Sequence, residues 1–252
     1  MSALLRTTAA ALAVLAPLAA SGQDAFTEEF PLASCRFQPH GGNAYFVLDP
    51  NHQLYLSNQR CVAAGDCDEL EEVWITTQPA TRLITFEQDG KTYTVRTRVV
   101  EEFEVADGEV EEISQNYYAS CAPMNDVYYF GEDVTDGDGN PAGDAWLAGV
   151  DGARPGIIMP DRAFLLGSRY YQEQAAGVAQ DRAEHTAIVG EVTVPAGSFE
   201  DCVEVTETSP LEPGQESLKV YCPGIGLVID NDMELAAHYR GAVARPEAGE
   251  ED

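Results

Sequence analysis

The chain has few basic residues. It carries 14 Lys and Arg against 43 Asp and Glu in 252 residues, so its formal net charge at pH 7 is −29. Such a field repels nucleic acid and anionic lipid surfaces, and neither is expected as a partner. The acidic residues are spread along the chain, apart from the final "PEAGEED". This spread favours adaptation to salt over the alternative, a dedicated cation-binding protein.

Several catalytic and metal-binding motifs are missing. The chain contains no GxSxG elbow of a serine hydrolase, no HExxH and no CxxC pair. The histidines are scattered without paired metal spacing, at His40, His52, His185 and His238. Two carboxylates could serve a glycosidase, but no pair stands out among so many acids. We therefore predict no catalytic residue, and a secreted hydrolase using paired carboxylates is the alternative.

Long hydrophobic runs are also missing. The apolar stretch Ala9–Ala20 is shorter than the roughly 20 residues of a transmembrane helix. It follows Arg6 and precedes a polar step, which is the layout of a secretory signal peptide, with cleavage expected after Gly22. No cysteine follows that could carry a lipid. We therefore expect a periplasmic or extracellular protein without an integral membrane segment, with 13 basic and 43 acidic mature residues and a net charge of −30.

Six cysteines are present, all after the predicted signal peptide. An even number in an oxidising compartment favours disulfides, although six cysteines allow many pairings. We expect a local loop, a bridge across a hairpin and a third pair by elimination: Cys61–Cys67, Cys202–Cys222 and Cys35–Cys121. Alternation puts Cys202 on the face of Glu204 and Cys222 on that of Val220, so the second pair is expected to need a β-bulge.

The periodicity of the chain is that of β-strands. Alternating runs such as "RLITFEQ" and "KTYTVRTRVV" flank Asp-Gly corners, and the same pattern recurs to "MELAAHYR". No apolar stripe with helical spacing is long enough for a substantial helix. We predict an all-β, antiparallel fold with little helix. No linker divides the chain, so residues 23–240 are expected to form one domain, followed by a disordered acidic tail over residues 241–252.

Four motifs resemble a family of uncharacterised secreted bacterial proteins: "WLAGVDGARPGIIMP", "YYQEQAAGVAQDRAE", "VPAGSF" and "YCPGIGLV". The resemblance covers about Tyr117 to Asp230 and implies no activity. The last two motifs are also similar to envelope proteins related to the half-barrel of lipoprotein carriers. That similarity implies a strongly curved sheet or open half-barrel around a cavity. Cys222 replaces the Ala of the family's "YAPG", which supports its pairing with Cys202.

The stretch "GEDVTDGDGNPAGDAW" is the nearest approach to a metal site. Two EF-hand frames fail: one places Pro141 where Gly is required, and the other places Val134 at the first ligand position. Asp-Gly and Gly-Asn dipeptides between strands are typical of a hairpin corner. We interpret the stretch as a turn and expect no cofactor, with a weak calcium site as the alternative, formed by Asp136, Asp138, Asn140 and Asp144.

Neighbouring tyrosines are the remaining candidates for a binding surface. Residues next to each other in a strand face opposite sides, so each pair offers one ring to a core or cavity: Tyr117 and Tyr118, Tyr128 and Tyr129, and Tyr170 and Tyr171. Ordinary strand packing explains such pairs, but a curved sheet lined with rings could hold an apolar ligand. The function that we predict is a non-catalytic binding or structural protein of the cell envelope that holds an apolar or lipid-like ligand.

Overall fold

The computed structural model describes residues 25–143, 145–161 and 164–241. The predicted signal peptide lies outside these residues, as does the predicted tail apart from Gly241. One short helix, α1, spans Gln59–Ala64, and 3₁₀ turns span Leu32–Ser34 and Val150–Gly152. The remaining regular elements are strands: β1 (Arg36–Gln38), β2 (His52–Ser57), β3 (Glu71–Gln88), β4 (Lys91–Ala106), β5 (Glu109–Ala122), β6 (Asp126–Asp136), β7 (Trp146–Leu147), β8 (Arg154–Met159), β9 (Arg169–Tyr171), β10 (Glu173–Gln174), β11 (Arg182–Val194), β12 (Gly197–Thr208), β13 (Ser217–Cys222), β14 (Gly226–Asp230) and β15 (Met233–Arg240).

All fifteen strands belong to one sheet. Its order is β10-β8-β6-β5-β4-β3-β2-β15-β14-β13-β12-β11-β9, with β1 beside β5 and β7 beside β6. Every pairing between these strands is antiparallel. The prediction of an all-β antiparallel fold with little helix is therefore confirmed.

The two edges of the sheet meet at one point of the chain. Strand β9 pairs with β11 at one end of the order, β10 pairs with β8 at the other, and Gln172 alone separates β9 from β10. Gly156 permits the crossing, because a Cβ atom there would lie 2.3 Å from the carbonyl oxygen of Tyr171. The sheet thus forms a nearly closed, barrel-like curve, which extends further round than the expected half-barrel.

The hairpin corners follow the Asp-Gly dipeptides. Asp89 and Gly90 join β3 to β4, with φ angles of 52° and 71°. Asp107 and Gly108 join β4 to β5, with φ angles of 47° and 87°. Two consecutive residues with positive φ match the twist of the flanking strands, and Asp followed by Gly is the pair that tolerates this backbone best. These corners set the register that places side chains inside the curve.

Three disulfides form in the pairing expected from the sequence: Cys35–Cys121, Cys61–Cys67 and Cys202–Cys222. They indicate an oxidising compartment. The bulge expected for the third pair is absent from the pairing of β12 with β13, and that expectation was wrong. Glu204 is directly opposite Val220 in this register, so Cys202 and Cys222 are also opposite each other. The expectation was wrong because Glu204 and Val220, one acidic and one apolar, lie on the same face of the sheet.

Two large apolar clusters stabilise the curve. One contains residues of β3–β6 around Tyr128 and Phe130. The other contains residues of β2 and β11–β15 around Val203 and Val205. Partly buried residues such as Phe46 contact both clusters. No helix in the described part of the chain has the length and apolarity that a membrane crossing requires.

Candidate functional site

The curved sheet surrounds a cavity of about 270 Å³. One wall of this cavity is apolar and comes from β2 and β3. Leu56 is opposite Val73 in the register of these strands, and Leu54 is opposite Ile75. All four side chains line the cavity. This wall could contact the apolar part of a small molecule.

The wall becomes acidic at the next strand. In the register of β3 with β4, Glu104 is opposite Val73 and Glu102 is opposite Ile75. In the register of β4 with β5, Glu104 is also opposite Glu112. The three glutamates line the cavity, so apolar and acidic surfaces adjoin along the boundary between β3 and β4.

The alternating apolar residues of β4 face away from the cavity. Phe103 and Val105 form a separate small cluster with Trp74 of β3. Because successive side chains of a strand face opposite sides, this outer cluster directs Glu102 and Glu104 inward. The segment "EEFEVA" therefore has its apolar face outside the curve and its acidic face inside.

A lysine lies on the opposite wall. Lys219 Nζ on β13 is 2.6 Å from Asp230 Oδ2 and 3.7 Å from Glu207 Oε2. Burial lowers the pKa of this lysine, but the two carboxylates raise it further, so the pKa lies well above its usual value. Lys219 is therefore charged, and its charge is balanced by its own two partners.

Tyrosine rings cover part of the cavity surface. Tyr118 and Tyr129 stack with ring centroids 4.7 Å apart, and Tyr221 lies next to Lys219 on the same wall. The Tyr129 hydroxyl donates to Asn116 Oδ1 at 2.5 Å. The hydroxyls of Tyr118 and Tyr221 make no hydrogen bond within the described residues, although these residues are only 4% and 5% exposed. Both residues line the cavity, so their hydroxyls are available to a ligand there.

The acidic side chains are not all ionised at neutral pH. Burial, followed by repulsion from Glu104, raises the pKa of Glu102 to about 8. Burial, followed by repulsion from Glu112, raises the pKa of Glu104 to about 7. Neither side chain forms a hydrogen bond or ion pair within residues 25–143, 145–161 and 164–241, and both line the cavity. A cation in the cavity would favour the charged form of both.

Glu173 is the most deeply buried acid of the cavity wall. It is 3% exposed, and its Oε1 accepts the backbone N–H of Asp181. Burial first, and then the negative charges of Asp181, Glu132 and Glu207, raise its pKa well above the usual value. The strand that carries it, β10, is the edge at which the curve closes. Closure of the sheet thus brings this acid to the cavity.

A second cavity of about 170 Å³ adjoins the first. The two share Val73, Glu104 and Met233. The smaller one adds further acids to its lining: Glu71, Glu72 and Glu111. The acidic surface thus extends beyond the main cavity along the ends of β3, β4 and β5.

The stretch that suggested calcium is a hairpin corner between β6 and β7. Gly131 pairs with Leu147 across it. Asp136 Oδ1 accepts the backbone N–H groups of Asn140 at 2.8 Å and Asp138 at 3.1 Å. Hydrogen bonds from Asn140, Asp138 and Gly139 lower the pKa of Asp136. The carboxylate of Asp136 therefore stabilises the turn itself; Asp144 lies outside the described residues.

Of the histidines noted in the sequence, His52 lines the cavity, where its Nε2 lies 2.6 Å from the carbonyl oxygen of Ile225. In the described part of the chain, one group of His, Cys, Asp or Glu side chains has three potential metal-ligand atoms within 4.8 Å of one another: Cys61, Cys67 and Asp232. Both cysteines of this group form a disulfide. His185 is 1% exposed, and its ring stacks on Phe164 with centroids 3.9 Å apart. It is therefore a core residue.

The tyrosine pairs contribute to the cavity only in part. Tyr118 and Tyr129 line it, as expected for one ring of each pair, whereas Tyr117 hydrogen-bonds to Asp133 at 2.7 Å and Tyr128 packs in an apolar cluster. Glu102 and the other inward acids were not predicted from the sequence. The signal for Glu102 and Glu104 was their spacing at every second residue in "EEFEVA".

Comparison of the chain with family models, with curated proteins and with solved structures finds no match. The resemblance to secreted bacterial proteins stays a prediction. The function is therefore inferred from the cavity alone.

Proposed function

We propose that this protein is an exported, non-catalytic binding protein of the cell envelope that holds a small ligand with an apolar part inside the curved sheet. The observation that carries the proposal is the cavity of about 270 Å³ with an apolar wall and two tyrosines, Tyr118 and Tyr221, whose hydroxyls make no hydrogen bond within the described residues. A concave site with apolar walls and a few convergent polar groups is the usual form of a small-molecule site. The three disulfides support a periplasmic or extracellular location.

The test is the binding of a neutral apolar reporter, N-phenyl-1-naphthylamine, followed by fluorescence. We expect saturable binding of one reporter per chain. Val73→Phe should weaken it about tenfold or more, because the larger ring fills space beside Leu56 and Glu104. Ile188→Phe is the matched control, since Ile188 is 64% exposed on β11. Absence of saturable binding, or equal effects of both variants, would contradict the proposal.

A second candidate function is hydrolysis by paired carboxylates. The observation that favours it is the raised pKa of Glu102 and Glu104, because an acid that stays protonated near neutral pH can serve as a general acid. The two residues lie on the same face of β4 and line the same cavity. Turnover of chromogenic glycosides or esters that is lost in both Glu102→Gln and Glu104→Gln would favour this function over simple binding.

A further inference from the structure

The cavity has a large excess of acidic over basic side chains. Its lining contains eight acidic side chains and one lysine. The charge of Lys219 is balanced by Glu207 and Asp230, whose carboxylates lie 3.7 Å and 2.6 Å from its Nζ. Glu102 and Glu104 have no ion pair within the described residues. Lys219 lowers the pKa of Glu102 and Glu104 through its charge but forms no ion pair with either, so the surface that a ligand meets beside the apolar wall is acidic.

The tyrosines of the cavity suit a cation as well. An aromatic ring such as that of Tyr221 can attract an ammonium group to its face, whereas Tyr118 and Tyr129 stack on each other. Tyr118 and Tyr221 also have hydroxyl oxygens that can accept an N–H, and neither hydroxyl is used by another described residue. These two residues are observations independent of the acidic cluster. They indicate a ligand with hydrogen-bonding groups and not only an apolar chain.

The arrangement does not suit a single metal ion. Calcium takes about six to eight oxygen ligands at once. Among the described residues, the group with three potential ligand atoms within 4.8 Å of one another lies at the disulfide Cys61–Cys67. The acids of the cavity are too far apart to form such a group. The apolar wall of Leu54, Leu56 and Val73 offers no ligand to a metal. Dispersed carboxylates beside an apolar wall match a larger cation.

We propose that the cavity binds an organic cation, a molecule with an ammonium group on an apolar body. The ammonium group lies against Glu102 and Glu104, and the body lies along Val73 and Ile75, which are opposite these acids in the register of β3 with β4. This inference rests on the proposed binding function and names its ligand class. The acidic surface of the adjoining cavity, which includes Glu71, would attract such a cation from solution.

Three probes with one shape separate the ligand classes. They are 4-phenylbutylamine, 4-phenylbutanol and 4-phenylbutyrate, which present an ammonium, a hydroxyl and a carboxylate on the same apolar body. Each is titrated calorimetrically into the mature protein at pH 8.5, where the two glutamates are ionised to a greater extent. We expect the amine to bind at least about tenfold more tightly than the alcohol, and the carboxylate to bind most weakly.

The double variant Glu102→Gln plus Glu104→Gln tests the residues. It should weaken binding of the amine about tenfold or more and leave binding of the alcohol unchanged, which also shows that the variant is folded. Glu101→Gln is the matched control. Glu101 lies on the same strand but on the opposite face, where it accepts hydrogen bonds from Gln78 and Gln115. It should leave the preference for the amine unaltered.

The outcomes distinguish this inference from the function on which it rests. Equal binding of amine and alcohol, both unaffected by the double variant, would overturn the organic cation and leave the binding function standing. Failure of all three probes and of the neutral reporter would contradict both. A stoichiometric calcium complex that displaces the amine and is lost in the double variant would replace the organic cation with a metal ion.

Discussion

At the scale of single residues, the inward glutamates make stability depend on pH. The pKa of Glu102 rises on folding from an ordinary 4.5 to about 8. A carboxyl with a raised pKa binds its proton more tightly when folded, so its stabilising effect is complete below pH 4.5 and is lost as the pH rises through 8. We predict that the melting temperature falls between pH 5 and pH 9. Glu102→Gln should raise the free energy of unfolding at pH 8.5 by about 1–2 kcal/mol, which raises the melting temperature by roughly 2–8 °C.

The control for this measurement is the variant at the adjacent position, Glu101→Gln. It should give no gain at high pH, because it loses a carboxylate that accepts hydrogen bonds from Gln78 and Gln115. Melting curves recorded by circular dichroism at several pH values would show the difference. If both variants melted alike at pH 8.5, the inward placement of Glu102 would be wrong.

The buried tyrosine hydroxyls differ in what their removal should cost. Tyr129→Phe removes the donor to Asn116 and leaves a buried acceptor without its partner, which costs about 1–2 kcal/mol. Tyr118→Phe removes a hydroxyl without a hydrogen bond among the described residues, so we predict a change within about 0.5 kcal/mol or a gain. Urea unfolding of the ligand-free protein measures both. Equal losses would mean that the Tyr118 hydroxyl is bonded in the folded protein.

At the scale of elements, the corner between β6 and β7 tests the calcium alternative. Asp136 already accepts the N–H groups of Asn140 and Asp138, so its carboxylate is committed to the turn. We predict similar melting shifts with calcium and magnesium, since both only screen the surface charge. The variant Asp136→Asn plus Asp138→Asn should lower stability slightly and leave the two shifts similar. A shift of several degrees with calcium alone, abolished by this variant, would make the corner a metal site.

Turns and strand identity were predictable because their causes are local. Asp89-Gly90 and Asp107-Gly108 adopt positive φ angles that few other dipeptides tolerate, so the corners are encoded in two residues each. The inward face of β4 was not predictable in this way. Alternation separates Glu102 from Phe103 but does not say which faces the interior, and the answer depends on Trp74, which covers Phe103 from the neighbouring strand.

At the scale of the whole molecule, closure of the sheet determines the site. The cavity needs β10, which brings Glu173, to meet β8 at the far edge, and it needs β13, which brings Lys219, to lie across from β4. These contacts join residues that are distant in the chain, and neither periodicity nor turn residues specify them. The apolar wall comes from the neighbouring strands β2 and β3. Glu102 and Glu104 adjoin this wall through the pairing of β3 with β4, whereas Glu173 reaches the cavity only because the sheet closes.

The net charge of the whole molecule determines how it responds to salt. The mature chain carries a formal charge of −30, and added salt screens the repulsion by shortening the Debye length from about 30 Å at 0.01 M to about 10 Å at 0.1 M. We predict that sodium chloride raises the free energy of unfolding at pH 6 by about 1–2 kcal/mol, which raises the melting temperature by roughly 2–8 °C. Potassium chloride should act equally, because screening does not distinguish the two ions.

Glu102→Gln plus Glu104→Gln should keep the same salt dependence, since the pKa values of about 8 and about 7 leave both carboxyls mostly neutral at that pH. A flat response in calorimetry would show that the surface charges are balanced locally, whereas a smaller response in the double variant alone would show that the inward glutamates are ionised at pH 6.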